Sequence, residues 1–466
     1  MSNLWKHQEI AVERALKSLP GGFGIFFEQR AGKSRTALEI ARRLEASRIL
    51  VLCPSQGGAV PKVWLREIAA HWPSGPRAIA LAGDSRQRAE QMRTLKGPAI
   101  VIVNHESMWR PPLSGALREA GWDVVIADEL HRLKSPRGAA SRYAAQIGRL
   151  APVRLGLTGT PIPHSPLDVW GEYQFLNPSL FPSTFTQFRM RYSRPAMRSE
   201  WRDPDTYAHP GRAGVLERWK FQNLDELQGR MYSCAVRVLT RDVFPDMPHE
   251  MVDDRRVELE PSARRIYRDL ARTLTAEIRS GVVTAANAGV KVLRLAQLTG
   301  GTLSGESLET GERTLEQVSE AKERLLGEML QDLTGEPVVV YGRFHTDLDA
   351  IHRACAVAGS SSSELSGRRS ELDAWQNGGT QVLVGQVQAA GMGIDLTRAA
   401  IVIYYSTGYS LNDYEQSRAR VLGPMQTRPV MLYHLLVENT IDEAIFAALR
   451  ARKDVVASVV EQLARL

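Results

Sequence analysis

Short apolar segments alternate with helical patterns in two separate series, and this alternation constrains the fold more than any other feature of the chain. Continuous apolar strands that are separated by helices are typical of a parallel sheet covered on both faces. We therefore predict an α/β protein with two such sheets in tandem. The segments of the first series are 23–27, 48–53, 99–103, 123–127 and 153–157, and those of the second are 337–341, 381–384, 400–404 and 430–434.

The two series define the predicted domain organisation. The first α/β domain covers residues 1–175 and the second covers 320–466, where a long helical pattern ends the chain. Residues 176–319 are predicted to form a helical insertion and linker. Their first part is polar and basic and contains Trp201 and Trp219, so it is either a DNA-contacting segment or a solvated surface loop.

Composition narrows the class of protein. A chain of 466 residues with 43% hydrophobic residues can build more than one core. We expect no membrane segment, because no apolar run approaches the ~20 residues that a span requires. The N-terminus lacks the layout of a signal peptide, and the three cysteines are scattered, so a cytoplasmic chain is predicted. The net charge of +7 permits a nucleic-acid partner without requiring one.

A phosphate-binding loop is indicated where the first strand meets the first helix after it. Gly32, Lys33 and Ser34 stand at this junction. Backbone N–H groups at a helix N-terminus bind phosphate, a lysine contacts the β- and γ-phosphates, and a serine hydroxyl binds Mg²⁺. Arg30 and Ala31 complete the predicted ATP-binding loop, with the cofactors ATP and Mg²⁺.

Two adjacent acids follow the strand at 123–127. Asp128 suits a Mg²⁺ ligand, and Glu129 suits the group that orients and deprotonates the attacking water. One strand later, Thr158 and Thr160 provide short hydroxyls that can connect the nucleotide site to a neighbouring surface.

The order and spacing of these motifs resemble superfamily-two helicases, specifically the Swi/Snf-type DNA translocases in a compact phage or bacterial form. The resemblance implies two RecA-like domains, DNA-stimulated ATP hydrolysis and movement on mostly double-stranded DNA. Single-stranded DNA or RNA is an alternative partner, and no residue indicates protein partners. The segments that carry the resemblance are 4–8, 52–67, 103–107, 125–136, 157–166, 175–178, 239–248, 365–367, 384–396, 416–420 and 426–430.

The same resemblance assigns roles to further residues. It implies that Gln8 contacts adenine and that Arg420 reaches the γ-phosphate. With Glu129 and Lys33 from the motifs above, Arg420 completes the set of predicted catalytic residues. The resemblance also implies that four residues couple the nucleotide site to DNA: His131, Thr158, Thr160 and Gln416. It implies DNA contact for His105, Gly391 and Gly393.

The chain departs from the family pattern at two places. Arg30 stands where the phosphate loop usually has glycine, and a positive φ there would cost about 1 kcal/mol or more. Gly423 replaces the second arginine of the sixth motif, with Arg418 as an alternative. We therefore predict slowed hydrolysis by a DNA motor. The alternatives are an ATP-responsive DNA clamp with little turnover and a strand-separating DNA or RNA helicase.

Overall fold

The computed structural model describes residues 4–55, 59–162, 165–200, 206–210, 216–279, 285–306, 313–387 and 394–451. The chain divides into two compact units, Met1–Pro245 and Asp246–Leu466.

The first unit is built on a parallel sheet. Its strands are β1 (Gly21–Phe27), β2 (Arg48–Cys53), β3 (Arg77–Ala80), β4 (Ala99–Asn104), β5 (Val124–Asp128), β6 (Val153–Leu157), β7 (Ser193–Pro195), β8 (Thr206–Pro210), β9 (Leu216–Phe221) and β10 (Ala235–Val238). The main sheet has the order β10-β1-β6-β5-β2-β4-β3, and β7, β9 and β8 form a separate antiparallel sheet.

Helices cover both faces of the main sheet. They are α1 (Lys6–Ser18), α2 (Lys33–Arg43), α3 (Ala59–His71), α4 (Ser85–Thr94), α5 (Leu113–Glu119), α6 (Ala139–Gly148), α7 (Val169–Leu176), α8 (Phe185–Tyr192), α9 (Leu224–Ser233) and α10 (Thr240–Val243). Residues of the central strands alternate between two apolar clusters. In β2, for example, Leu50 and Leu52 join one cluster while Ile49 and Val51 join the other. Burial on both faces explains the uninterrupted apolar runs in the sequence.

The second unit repeats this plan with a parallel sheet of order β11-β18-β17-β14-β16-β15. Its strands are β11 (Glu250–Val257), β12 (Thr302–Glu306), β13 (Arg313–Gln317), β14 (Val338–Gly342), β15 (Ser362–Leu365), β16 (Val382–Gln386), β17 (Ile401–Tyr404) and β18 (Val430–Val437). Strands β12 and β13 form an antiparallel hairpin. Its helices are α11 (Pro261–Arg279), α12 (Ala285–Thr299), α13 (Ala321–Asp332), α14 (His345–Val357), α15 (Leu372–Gln376), α16 (Leu411–Val421) and α17 (Ile441–Arg450).

The predicted middle region, 176–319, is divided between the two units. It contains the helices α11 and α12, but it also supplies β10, which pairs with β1, and β11, which pairs with β18. Each sheet therefore gains an edge strand from this region, which does not form a separate body between the two α/β units. The predicted boundaries at 175 and 320 stay predictions.

Helix α7 packs very closely against its surroundings in the first unit. A Cβ on Gly171 would lie 2.3 Å from the carbonyl oxygen of Lys134. The next residue, Glu172, is fully buried, and its carboxylate oxygens have no hydrogen-bond partner among the described residues. Burial raises the pKa of Glu172 well above its usual value, and the nearby Asp168 acts in the same direction. This shift favours the neutral carboxyl group.

We expect Glu172→Leu to stabilise the protein by about 1–3 kcal/mol at pH 8, because the unpaired buried carboxyl is removed. A raised folded-state pKa means that the native chain loses stability as pH rises above the unfolded value of about 4.3. The gain should therefore shrink at pH 4. Urea denaturation at both pH values measures it, with Glu119→Gln on the exposed side of α5 as the control. An equal gain at both pH values would contradict the neutral carboxyl.

Candidate active site

The predicted phosphate loop connects the end of β1 to the start of α2. Two of its residues have left-handed backbone conformations, Arg30 with a φ of 61° and Gly32 with a φ of 80°. The positive φ considered for Arg30 on sequence grounds is therefore present. An arginine tolerates this conformation at a cost of about 1 kcal/mol or more.

A Cβ on Gly32 would lie 2.2 Å from Gln8 Nε2, so the Gln8 side chain would have to shift, and the positive φ itself favours glycine. The buried amide of Gln8 donates from Nε2 to the Gly32 carbonyl (3.1 Å) and accepts at Oε1 from the Trp5 N–H (2.9 Å). His7 Nε2 lies 2.9 Å from the carbonyl oxygen of Ala31. The start of α1 thus supports the loop from one side. A contact between Gln8 and adenine stays a prediction.

Lys33 is the first residue of α2, and its ammonium group lies within the loop. Nζ donates to the carbonyl oxygens of Phe27 (3.0 Å) and Glu28 (3.2 Å). Ser34 follows in the first turn of the helix. A lysine and a helix N-terminus together place positive charge and free N–H groups where a phosphate can bind.

Asp128 is the last residue of β5 and lies at the carboxyl-terminal end of the parallel strands, as the phosphate loop does. Leu157 pairs with both Ile25 of β1 and Asp128 of β5, so the strand ends are aligned. Burial and the neighbouring Glu129 raise the pKa of Asp128 to about 6, against the opposing effects of Trp64, Lys33 and His105. A bound cation would relieve the repulsion between these two carboxylates.

The oxygen donors at this edge fit Mg²⁺. Magnesium is usually held by one or two carboxylates together with substrate phosphates and water, and Asp128 with the Ser34 hydroxyl supplies such a set. Within the described residues, no group of three or more His, Cys, Asp or Glu side chains could hold a metal by itself.

One predicted catalytic residue, Glu129, lies in a network with three of the predicted coupling residues, His131, Thr158 and Thr160. Glu129, with a φ of 50°, places Oε2 3.3 Å from His131 Nδ1, and the same nitrogen lies 3.1 Å from Thr158 Oγ1. The backbone N–H of Thr160 donates to Thr158 Oγ1 (3.1 Å). The ends of β5 and β6 are therefore joined through side chains that reach Glu129.

His105, which is predicted to contact DNA, is buried next to Asp128. Its imidazole is only 3% exposed, and Nε2 lies 2.8 Å from the carbonyl oxygen of Asp128. The described contact of His105 is therefore with the backbone of Asp128, and its contact with DNA stays a prediction. The sequence also did not reveal that Trp64, which lies in the segment 52–67, donates from Nε1 to Asp128 Oδ2 (2.9 Å).

The sixth-motif residues lie on α16 of the second unit. Gln416 is buried, and the Arg420 carbonyl accepts from the Leu396 N–H (3.0 Å). Arg418 forms an ion pair with Glu250 of β11 and a second one with Glu415 (3.2 Å). These contacts hold Arg418 in a structural role, which does not support it as the substitute for the arginine missing at Gly423. Gly391 and Gly393 lie outside the described residues.

Comparison with known families agrees with this architecture. Residues 10–318 match the SNF2-related domain, and residues 321–422 match the helicase conserved C-terminal domain. The chain belongs to the SNF2-related family, and the predicted fold of two RecA-like parallel-sheet domains is confirmed. Members of this family are ATPases that generally use Mg²⁺.

The relatives range from a phage protein to large eukaryotic ATPases. The chain is 23% identical to protein p41 of Acyrthosiphon pisum secondary endosymbiont phage 1, over 83% of this chain and 82% of that protein. It is 24% identical to chromodomain-helicase-DNA-binding protein 1-like of Danio rerio, over 89% of this chain and 39% of the relative. Identity to the ISWI chromatin-remodeling complex ATPase ISW1 of Saccharomyces cerevisiae is 22%, over 82% of this chain and 33% of the relative.

The chain thus spans most of the phage protein and well under half of the two eukaryotic ones. It is a SNF2-family helicase-like ATPase related to chromatin remodellers. Among solved structures, it is similar to the Sulfolobus solfataricus SWI2/SNF2 ATPase core in complex with dsDNA. That match has 21% identity and a TM-score of 0.45, and it covers 100% of this chain and 95% of the other. No helix in the described part of the chain is both long and apolar enough to span a bilayer.

Proposed function

We propose that this protein is a DNA-stimulated ATPase that uses ATP and Mg²⁺ to translocate on double-stranded DNA. The proposal rests on one observation: Lys33, Asp128 and Glu129 lie together at the carboxyl-terminal end of the parallel strands. Glu129 is connected from there to Thr158 through His131. This set combines a phosphate-binding cation, a metal ligand and a candidate base.

Each residue has a defined task in hydrolysis. Lys33 exchanges its bonds to the loop carbonyls for the β- and γ-phosphates, and the N–H groups at the start of α2 bind the same anion. Asp128 and Ser34 would hold Mg²⁺, which would neutralise charge that develops on the phosphates. Glu129 orients a water molecule and accepts its proton.

The network beyond Glu129 offers a route for coupling. His131 bridges Glu129 and Thr158, and Thr158 also accepts from the backbone of Thr160. A shift of the loop that follows β6 therefore changes the environment of the base. We propose that DNA binding acts on hydrolysis through these contacts.

Several facts support DNA as the partner. The chain carries a net charge of +7. The Danio rerio relative, whose similarity covers 89% of this chain, is named as a helicase and DNA-binding protein. Contacts to phosphates would make binding independent of sequence and strongly salt-dependent. A preference for duplex follows from the Swi/Snf-type resemblance, and a cytoplasmic location stays a prediction.

Steady-state ATP hydrolysis tests the proposal. The purified chain is measured alone and with duplex DNA, single-stranded DNA or RNA, next to Lys33→Ala. We expect duplex DNA to give the largest stimulation and Lys33→Ala to remove it, because phosphate binding is lost. Preference for a single strand would favour a strand-separating helicase. ATP binding without turnover on any nucleic acid would favour a clamp, a reading consistent with Gly423 in place of an arginine.

A further inference from the structure

Asp128 is held by side chains from two other parts of the first unit. Trp64, on α3, is 1% exposed and donates from its indole Nε1 to Asp128 Oδ2 at 2.9 Å. His105, just after β4, has Nε2 2.8 Å from the Asp128 backbone carbonyl. The carboxylate and the peptide of this residue are thus fixed independently.

The protonation of His105 follows from its surroundings. A carbonyl oxygen only accepts hydrogen bonds, so Nε2 must carry the proton that it donates to Asp128. Nδ1 is buried without a hydrogen-bond partner among the described residues, consistent with an unprotonated nitrogen. The ring is therefore a single fixed donor.

The orientation of the carboxylate is set on both oxygens. Oδ2 accepts from Trp64, and Oδ1 accepts from the Glu129 N–H at 3.0 Å. A carboxylate without these contacts could rotate about its terminal torsion, which is a broad and soft degree of freedom. Partners behind a metal ligand commonly change metal affinity by about 10- to 100-fold when they are removed.

We infer that Trp64 and His105 are positioning residues that hold Asp128 for Mg²⁺. The inference rests on the proposed function, because it takes Asp128 as the metal ligand. Trp64 acts on the carboxylate and His105 on the backbone, so their removal should weaken Mg²⁺ binding without removing the phosphate loop.

The test compares ADP affinity with and without Mg²⁺, together with the Mg²⁺ concentration that gives half-maximal ATP hydrolysis. Trp64→Phe keeps the aromatic packing and removes the donor. The matched control is Trp122→Phe, because Trp122 is also buried in this unit and donates to the backbone carbonyl of Leu117 (2.7 Å). We expect Trp64→Phe to raise the required Mg²⁺ about 10- to 100-fold. ADP affinity without Mg²⁺ should stay within about threefold of the unmodified chain, and Trp122→Phe should not alter the Mg²⁺ requirement.

A second pair of variants tests the backbone contact and serves if Trp64→Phe does not fold. His105→Gln can keep a donor near Asp128, whereas His105→Phe cannot, so only the latter should raise the required Mg²⁺. Equal Mg²⁺ dependence in Trp64→Phe and Trp122→Phe, or in both His105 variants, would overturn the inference while leaving the ATPase intact. An unmodified chain that binds no nucleotide would instead overturn the proposed function, and the inference with it.

Discussion

Replacing Glu129 with glutamine is expected to lower the maximal rate of ATP hydrolysis by about 10²- to 10⁴-fold, the range attributed to a general base. The amide keeps the size of the side chain but cannot accept a proton from water. ATP affinity should change little, because Lys33 and the loop that ends at Gly32 remain. Steady-state hydrolysis with duplex DNA and titration with a fluorescent nucleotide measure the two quantities separately.

Two controls sharpen this result. Glu13→Gln makes the same chemical change on the exposed side of α1 and should leave hydrolysis unchanged. Lys33→Ala should weaken ATP binding as well as turnover, because the phosphate-binding cation is lost. Near-normal hydrolysis by Glu129→Gln would show that another group activates water, and the role of the network through His131 and Thr158 would then need a different explanation.

The central strands could be predicted from the sequence, whereas the edge strands could not. Strands β2, β4 and β5 are buried on both faces and therefore consist mainly of Ile, Val and Leu. Strand β11 contains Glu250 and four charged residues at 253–256, because it lies at the sheet edge and pairs only with β18. A charged edge discourages pairing with other chains but removes the apolar signal. Strand β10 was missed because its partner β1 lies more than 200 residues earlier.

Local motifs of the candidate site were predictable because their function depends on short spacing. Lys33 follows β1 after a short loop and Asp128 is the last residue of β5, and the parallel register brings these two strand ends together. The support of Asp128 by Trp64 depends instead on how α3 packs against the sheet, which no spacing reveals. The contact of His105 with the Asp128 carbonyl could not be predicted for the same reason, because a motif fixes order along the chain and not the direction of a side chain.

The two arginines of α16 should separate catalysis from stability. The family resemblance assigns Arg420 to the γ-phosphate, and Gly423 stands where a second arginine is usual. We expect Arg420→Gln to lower the maximal hydrolysis rate by about 10³-fold or more, the lower end of the effect of such arginines in related NTPases. The main effect is expected on this rate and not on the free energy of unfolding, because the resemblance gives Arg420 a role in hydrolysis.

Arg418→Gln is the matched variant two residues away, and its expected effects are reversed. It removes the ion pairs with Glu250 and Glu415 and the contact of the guanidinium with the Tyr414 ring. Because these groups are partly exposed, the loss should be about 1–3 kcal/mol in unfolding free energy. Hydrolysis is compared under conditions in which both variants are folded. A loss of only a few kcal/mol in unfolding free energy leaves most of the Arg418→Gln protein folded, so this variant should retain at least about a tenth of the rate. If Arg418→Gln alone stopped hydrolysis, Arg418 and not Arg420 would be the arginine that acts on the phosphates, and its pairing with Glu250 would describe a resting arrangement.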